Sequence, residues 1–354
     1  MAVYWVLFCY AAAMALVFPV ERYAKLGATQ GAAMLLFLSA YVLLATFRNE
    51  IGGDWEAYKG MYEAVRGESL VSALQTTDPI FGFILWLSSL LRLGIYPVNG
   101  ICAALIGMGV LRVALTTRDP WLAIVMAVPY LLIVVGMGYV RQAGAIGFLM
   151  LAIASLDRRR IAATAVRLLF AAGLHSTSAI VFPVFGFAMA GRRRVVALIL
   201  GCAGLVLFSY VLSWRIEEFQ AGYLQSEYDS SGALVRVAMN VAPSILLLAC
   251  WRRFPITGPA RIVWLALALA NIAALIALWL SPSSSAVDRL SLYFAPIQIV
   301  ACGTIRDLLP MRRAAAYPIR MAVIAAAALV QTAWLLLADN AFAWVPYHSV
   351  LDAL

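Results

Sequence analysis

The sequence predicts an all-α polytopic membrane protein, and three observations lead there. Of its 354 residues, 64% are apolar and only 12% are charged, whereas a soluble globule carries about 25% charged residues. Mean hydropathy is high, at +0.92. Stretches of the roughly 20 mostly apolar residues that one helical crossing needs recur along the whole length, so a single integral membrane domain over 1–354 is expected.

Taken in order, the apolar runs at 1–20, 29–47, 96–116, 120–138, 141–156, 161–174, 176–190, 195–214, 233–251, 261–280, 289–304 and 321–338 give about twelve crossings. The first run, MAVYWVLFCYAAAMALVFPV, has neither a positive leading region nor a small-residue cleavage site, so it reads as a helix and not as a signal peptide. The run 79–93 is 15 residues long and opens on Pro79, which predicts an interfacial or re-entrant segment. Charge orients the chain. With 79–93 not crossing and the N-terminus outside, one side receives 17 basic residues, among them Arg112, Arg118, Arg252, Arg253, Arg261, Arg306 and Arg320, against the four acids Glu21, Asp119, Asp157 and Asp307. That is the positive-inside signature of a cytoplasmic face. If 79–93 did cross, the segment after Phe47 would move to the cytoplasm, away from Arg141 and His175.

The opposite side then holds an extracytoplasmic loop at 48–95, a second at 215–232, a Ser-rich turn at 281–288 and the tail 339–354. Within the first loop, Trp55, Tyr58 and Tyr62 recur at i, i+3 and i+7, one face of a short amphipathic helix that either binds something polar or anchors on lipid headgroups. The formal charge of +9 comes from short clusters between apolar runs, which speaks for topology signals and against a nucleic-acid partner. Five cysteines lie in or beside apolar runs without metal-ligand spacing and read as small core residues.

The chemistry gathers in three places. FRNEIGGDWEAY, residues 47–58, sets Arg48, Glu50, Asp54 and Glu56 around Gly52-Gly53 at a membrane edge. Arg141, beside Gln142, opens a helix after a glycine-rich turn. There the positive end of the helix dipole and free N–H groups favour a phosphate, the alternative being an arginine snorkelling to headgroups. His175 is one of two histidines and stands at a helix boundary, where its near-neutral titration suits proton transfer or a structural hydrogen bond. Arg167, Arg236 with Asn240, and Asp288-Arg289 with Tyr293 add polar groups inside or at the ends of spans, where charge facing lipid costs at least about 2.5 kcal/mol. They point to a polar cavity opening outward. No phosphate-cradling loop, HExxH or DxD is present, so the energy of any reaction outside would have to come with a lipid-carried or activated substrate.

Together these motifs resemble the EpsG family, Wzy-like polymerases of bacterial exopolysaccharides and O-antigens. Arg48 with Gly52-Gly53-Asp54-Trp55 and Tyr58 is similar to that family's R-x(3)-G-[TG]-D-[YW]-x(2)-Y signature. Asp78-Pro79 with Phe81, Arg141-Gln142 with Ala143 and Ala145, His175-Ser176 with Ser178-Ala179, and Trp344-Val345-Pro346-Tyr347 resemble its later motifs in order. Gly53 stands where threonine is commoner, and Trp55 where tyrosine is.

The resemblance implies a metal-independent glycosyltransferase bundle of GT-C type without cofactor, in the bacterial inner membrane with its site facing the periplasm. Its donor and acceptor would be undecaprenyl-diphosphate-linked oligosaccharides, and membrane lipid, a chain-length regulator and a flippase are the partners it allows. On that basis Asp54 or His175 would serve as the base. Arg141, Arg289, Arg48 and Arg236 would hold the diphosphate, and Gln142, Trp55, Tyr58, Tyr293 and Tyr347 would contact sugar. An O-antigen ligase or another lipid-linked glycosyltransferase is the alternative enzyme, and a lipid-linked oligosaccharide flippase the alternative outside enzymes.

Overall fold

A computed structural model of the chain describes residues 1–18, 27–156, 160–190, 232–281, 283–309 and 316–353, with 195, 199, 201–204 and 206. Most of the expected crossing 195–214 and the loop 215–232, Gly232 excepted, lie outside the described residues. In chain order the helices are α1 (Ala2–Val17), α2 (Ala28–Phe47), α3 (Trp55–Val65), α4 (Leu70–Thr76), α5 (Pro79–Leu90) and α6 (Tyr96–Ala114). After them come α7 (Pro120–Gly138), α8 (Val140–Ala154), α9 (Ile161–Leu174), α10 (Ser176–Ala190) and α11 (Ala233–Ala249). The chain continues with α12 (Gly258–Leu280), α13 (Ser284–Ser291), α14 (Ile297–Gly303), α15 (Ile305–Leu308) and α16 (Ala316–Leu337). The one β-contact among the described residues is an isolated bridge between Arg48 and Ser349.

Five of these helices, α2, α6, α7, α12 and α16, are long and apolar enough to cross a membrane. Among the described residues this supports an all-α membrane protein, without supporting the expected count of twelve. Helices α1, α8, α9, α10 and α11 are apolar but shorter, at 14–17 residues, or about 21–26 Å at 1.5 Å per residue. Polar junctions stand where the expected runs end: Tyr139 separates α7 from α8, and His175 separates α9 from α10. The run 289–304 is broken at Pro296 into α13, a 3₁₀ turn and α14.

Helix α7 forms the axis. It is buried almost throughout and widens into π-helical turns over Val128–Val135, with Pro129, which has no N–H to give, in the first of them. Helices α6 and α8 cross in direct contact. A Cβ on Gly147 would come within 2.5 Å of the Leu105 carbonyl, so only the absent side chain lets these backbones meet.

Helix α5 spans 12 residues, about 18 Å, and both its ends lie at the same end of the bundle. Asp78, before it, contacts Arg141 and His175. Tyr96, after it, reaches Asn49 at 3.3 Å, and Asn99 accepts from Arg48 at 3.1 Å. Helix α3 turns Trp55, Tyr58, Tyr62 and Val65 inward, so its aromatic stripe packs toward the protein and not onto headgroups. At the far end of the bundle Arg118 pairs with Asp307 at 2.7 Å and Arg320 bridges Asp119 and the Ala15 carbonyl. Of the cysteines, Cys102 is buried while Cys9 and Cys202 are exposed, so the last two leave the core expected of them.

Candidate active site

The turn between α2 and α3 is fixed before anything reactive is placed on it. Arg48 ends α2 by donating Nη1–H to the Ala45 carbonyl (2.7 Å), Nε–H to the Ile51 carbonyl (3.1 Å) and Nη2–H to Asn99 Oδ1, occupying carbonyls that a helix end leaves open. Gly52 holds φ at 105° and donates to the Ala343 carbonyl at 2.7 Å. A Cβ there would sit 2.4 Å from the Met137 carbonyl oxygen, so both conformation and space require glycine. Gly53 meets nothing nearer than the Trp344 ring at 3.9 Å, which accounts for a freer choice of residue.

The tail closes over this turn. Trp344, 1% exposed, donates Nε1–H to the Ile133 carbonyl at 3.1 Å within the widened part of α7. Tyr347 donates to the Leu44 carbonyl, Ser349 Oγ to the Phe47 carbonyl, and Asn49 N–H to the His348 carbonyl.

Beyond the turn lies a charged cluster built from five separate segments. Asp54 accepts from Arg289 Nη2 at 3.5 Å. The Arg289 carbonyl accepts from Gln142 Nε2 at 2.6 Å, which ties the start of α8 to α13. The neighbouring Arg141 donates Nη1–H to Thr77 Oγ1 (3.0 Å) and Asp78 Oδ2 (3.2 Å). His175 Nδ1 approaches the same Oδ2 at 3.4 Å, and the Ser176 amide donates to Asp78 Oδ1 at 3.1 Å. Thr177 Oγ1 and the Tyr293 hydroxyl share a hydrogen bond of 2.8 Å, with the Tyr293 ring 6.5 Å from His175. Arg289 lies over Tyr139 and Arg141 between Tyr58 and Phe81, each at 5.5–5.9 Å. Burial drives the His175 imidazolium below the usual histidine range. The carboxylate of Asp78 opposes that shift, while Arg141 and Arg289 reinforce it.

The structure therefore brings Asp54, Arg289, Gln142, Arg141, His175 and Tyr293 together. Four side chains keep an open edge: Arg289 at 35%, Asp54 at 22%, Arg141 at 18% and His175 at 14%. Gln142, Tyr58 and Tyr293 are buried behind them and leave no ring face for stacking. Arg48 was expected on the diphosphate, but its guanidinium is 1% exposed and spent on the turn, with Trp55 packed 5.8 Å away. Tyr347, expected on sugar, clamps α2 instead.

Arg236 forms a buried bidentate pair with Asp288 at 2.7–3.1 Å and lies beside a groove of about 780 Å³ lined mainly by apolar side chains such as Met239, Val330 and Leu337. The sequence had offered Asp288 to its neighbour Arg289. Helix geometry turns adjacent residues apart, and each finds a partner on another segment.

Asp78 is the residue that sequence reasoning left out of the site. It stands before Pro79, where an aspartate ordinarily caps its own helix, yet its side chain makes no such cap. It is 2% exposed and collects Arg141, His175 and Ser176 instead. Its place in a motif was the available signal.

No curated protein and no solved structure matches the chain. A family sequence profile, that of the EpsG family, matches residues 32–349. That span includes Arg48, Asp54, Asp78, Arg141, His175, Arg289 and the clamping tail, and on this match the chain belongs to the EpsG family.

Proposed function

We propose that this protein is a polysaccharide polymerase that joins undecaprenyl-diphosphate-linked oligosaccharide repeat units at the periplasmic face of the bacterial inner membrane and releases undecaprenyl diphosphate. Membership of the EpsG family supports a polysaccharide-polymerase type of function in a membrane protein. The observation that carries the finer reading is the meeting of Asp54, Arg141, His175 and Arg289, from segments far apart in sequence, at one end of an apolar bundle.

The chemistry fits a glycosyl transfer with a diphosphate leaving group. The acceptor hydroxyl attacks the anomeric carbon of the donor, a new C–O bond forms, the bond to the diphosphate oxygen breaks, and the hydroxyl proton passes to Asp54 or His175. Negative charge grows on the departing diphosphate, and the open edges of Arg141 and Arg289 meet it. A metal-independent, GT-C-like route is consistent with guanidinium groups in this part. The apolar groove beside Arg236 offers a path for the isoprenoid tail. Orientation follows the basic residues: Arg118, Arg261, Arg306 and Arg320 lie at the end away from the cluster, which the positive-inside rule assigns to the cytoplasm.

The test is complementation of a polymerase-null strain. The unaltered gene restores a ladder of polymer lengths, whereas Asp54→Asn and His175→Ala give single-repeat product at normal protein abundance. Full-length polymer from both variants overturns the assignment, and long chains left unattached in the null strain identify a ligase.

A further inference from the structure

We infer that Asp78 is a positioning residue for the transfer: its buried carboxylate holds the Nδ1–H tautomer of His175, which makes His175 Nε2 the atom that takes the acceptor proton. This rests on the glycosyl-transfer reading above and chooses between its two bases.

Geometry leads there in three steps. First, Asp78 is not itself a base for substrate, because its side chain is 1% exposed and both oxygens are committed, Oδ1 to the Ser176 amide and Oδ2 to Arg141. Second, beside that guanidinium the carboxyl is ionised, and an ionised carboxylate only accepts hydrogen bonds. The nitrogen of His175 facing it, Nδ1 at 3.4 Å, must then carry the hydrogen, which leaves the lone pair of the neutral ring on Nε2. The distance is long for a hydrogen bond, as such contacts commonly are before substrate closes the site. Third, the anchoring is rigid. Asp78 is freed from capping α5, and it grips the backbone at Ser176, one residue beyond the imidazole it orients.

Asp54 lacks a comparable arrangement. It pairs with the half-open Arg289, which places it to orient the acceptor or balance the guanidinium and not to relay a proton. In the transfer, the acceptor O–H proton moves to Nε2 as its oxygen bonds to the anomeric carbon. The electron pair of the breaking bond leaves with the lipid diphosphate. The resulting imidazolium is held by Asp78 until it loses its proton to water.

The groups facing His175 are Asp78 from the start of α5, Arg141 from α8, and Arg289 and Tyr293 from α13 and the turn after it. Arg167 lies two turns earlier on α9. Of these, Asp78 alone favours the protonated ring. Asp78→Asn removes that charge and offers an N–H₂ to Nδ1. The expected outcome is a kcat lower by about 10²–10⁴-fold with KM little changed, and an acid limb of the pH–rate profile moved to lower pH. Asp78→Glu restores part of kcat.

The decisive measurement uses no substrate. The chain has two histidines, so a His348→Gln protein labelled with ¹⁵N-histidine reports His175 alone. Above its titration the spectrum should show a protonated Nδ1 and a bare Nε2, and Asp78→Asn should move the hydrogen to Nε2. A bare Nδ1 with Asp78 intact overturns the proposal even if every Asp78 variant fails to fold. So does an Asp78→Asn protein with unchanged tautomer and unchanged kcat. If the tautomer is as expected but no lipid-linked acceptor is extended, the polymerase reading fails and the pairing stands.

Discussion

The two ends of the bundle both contain arginine–aspartate pairs, and they use them differently. At the far end Arg320 and Asp119 are 6% and 1% exposed. Their pairing, with Arg118–Asp307, ties α1, α7, α15 and α16 together, and no histidine stands nearby. At the other end Asp54, Asp78 and Asp288 are each joined to a cation from another segment as well, but Asp54, Arg141, His175 and Arg289 keep an edge open, and one carboxylate is shared between a guanidinium and an imidazole. A sealed pair stabilises geometry, whereas a partly open one with a titratable ring beside it can exchange charge with a substrate. Within the second end the same contrast separates Arg48, sealed under its turn, from Arg141.

Substitutions should split along this line. The largest effect is expected for His175→Ala, a fall in polymerisation of about 10²–10⁴-fold at unchanged abundance and melting temperature. A melting temperature that falls with activity would make His175 a structural residue like those at the far end. Arg141→Ala should cost about 10²–10³ in kcat through lost charge stabilisation of the leaving group, read in steady-state assays on a lipid-diphosphate donor. Arg320→Ala should do the reverse. It leaves Asp119 buried without its counter-charge, at about 3–5 kcal/mol, so abundance in the membrane drops while turnover per folded molecule persists. Gly52→Ala should also act on stability, by about 1–3 kcal/mol for strain at φ 105° together with the clash on Met137. Gly53→Thr, facing only the Trp344 ring at 3.9 Å, should shift melting by little, within about 0.5 kcal/mol. Acid pH bears on the open end as well: because burial lowers the His175 titration below that of free histidine, activity should hold at neutral pH and fall only below about 6.5.

Helical class and membrane character were legible because they depend on run length and composition, which are local properties. The number of crossings was not. Hydropathy placed the breaks at Tyr139 and His175 but could not see that 289–304 is divided before α14 by a 3₁₀ turn and Pro296. Arg141 and His175 were readable as polar groups without local partners, whereas Arg289 stood beside Asp288. Arg48 misled because its partners are the carbonyls of Ala45 and Ile51, which sequence leaves invisible, and because Asn99 reaches it from 51 residues away. Trp55 and Tyr58 looked like sugar platforms, yet the inward face of α3 was claimed by packing. Asp78 carried only its place in a motif as a signal, and its neighbours in space reveal its use.

The central claim is that Asp54, Arg141, His175 and Arg289 form one glycosyl-transfer site, and reconstitution tests it most directly. Purified protein in liposomes is supplied with a synthetic lipid-diphosphate repeat unit, and product lengths are read on a gel. The account predicts a ladder from the unaltered protein and unextended single repeats from Asp54→Asn and from His175→Ala, all three equally folded. Ladders of equal length and rate from all three proteins would contradict it.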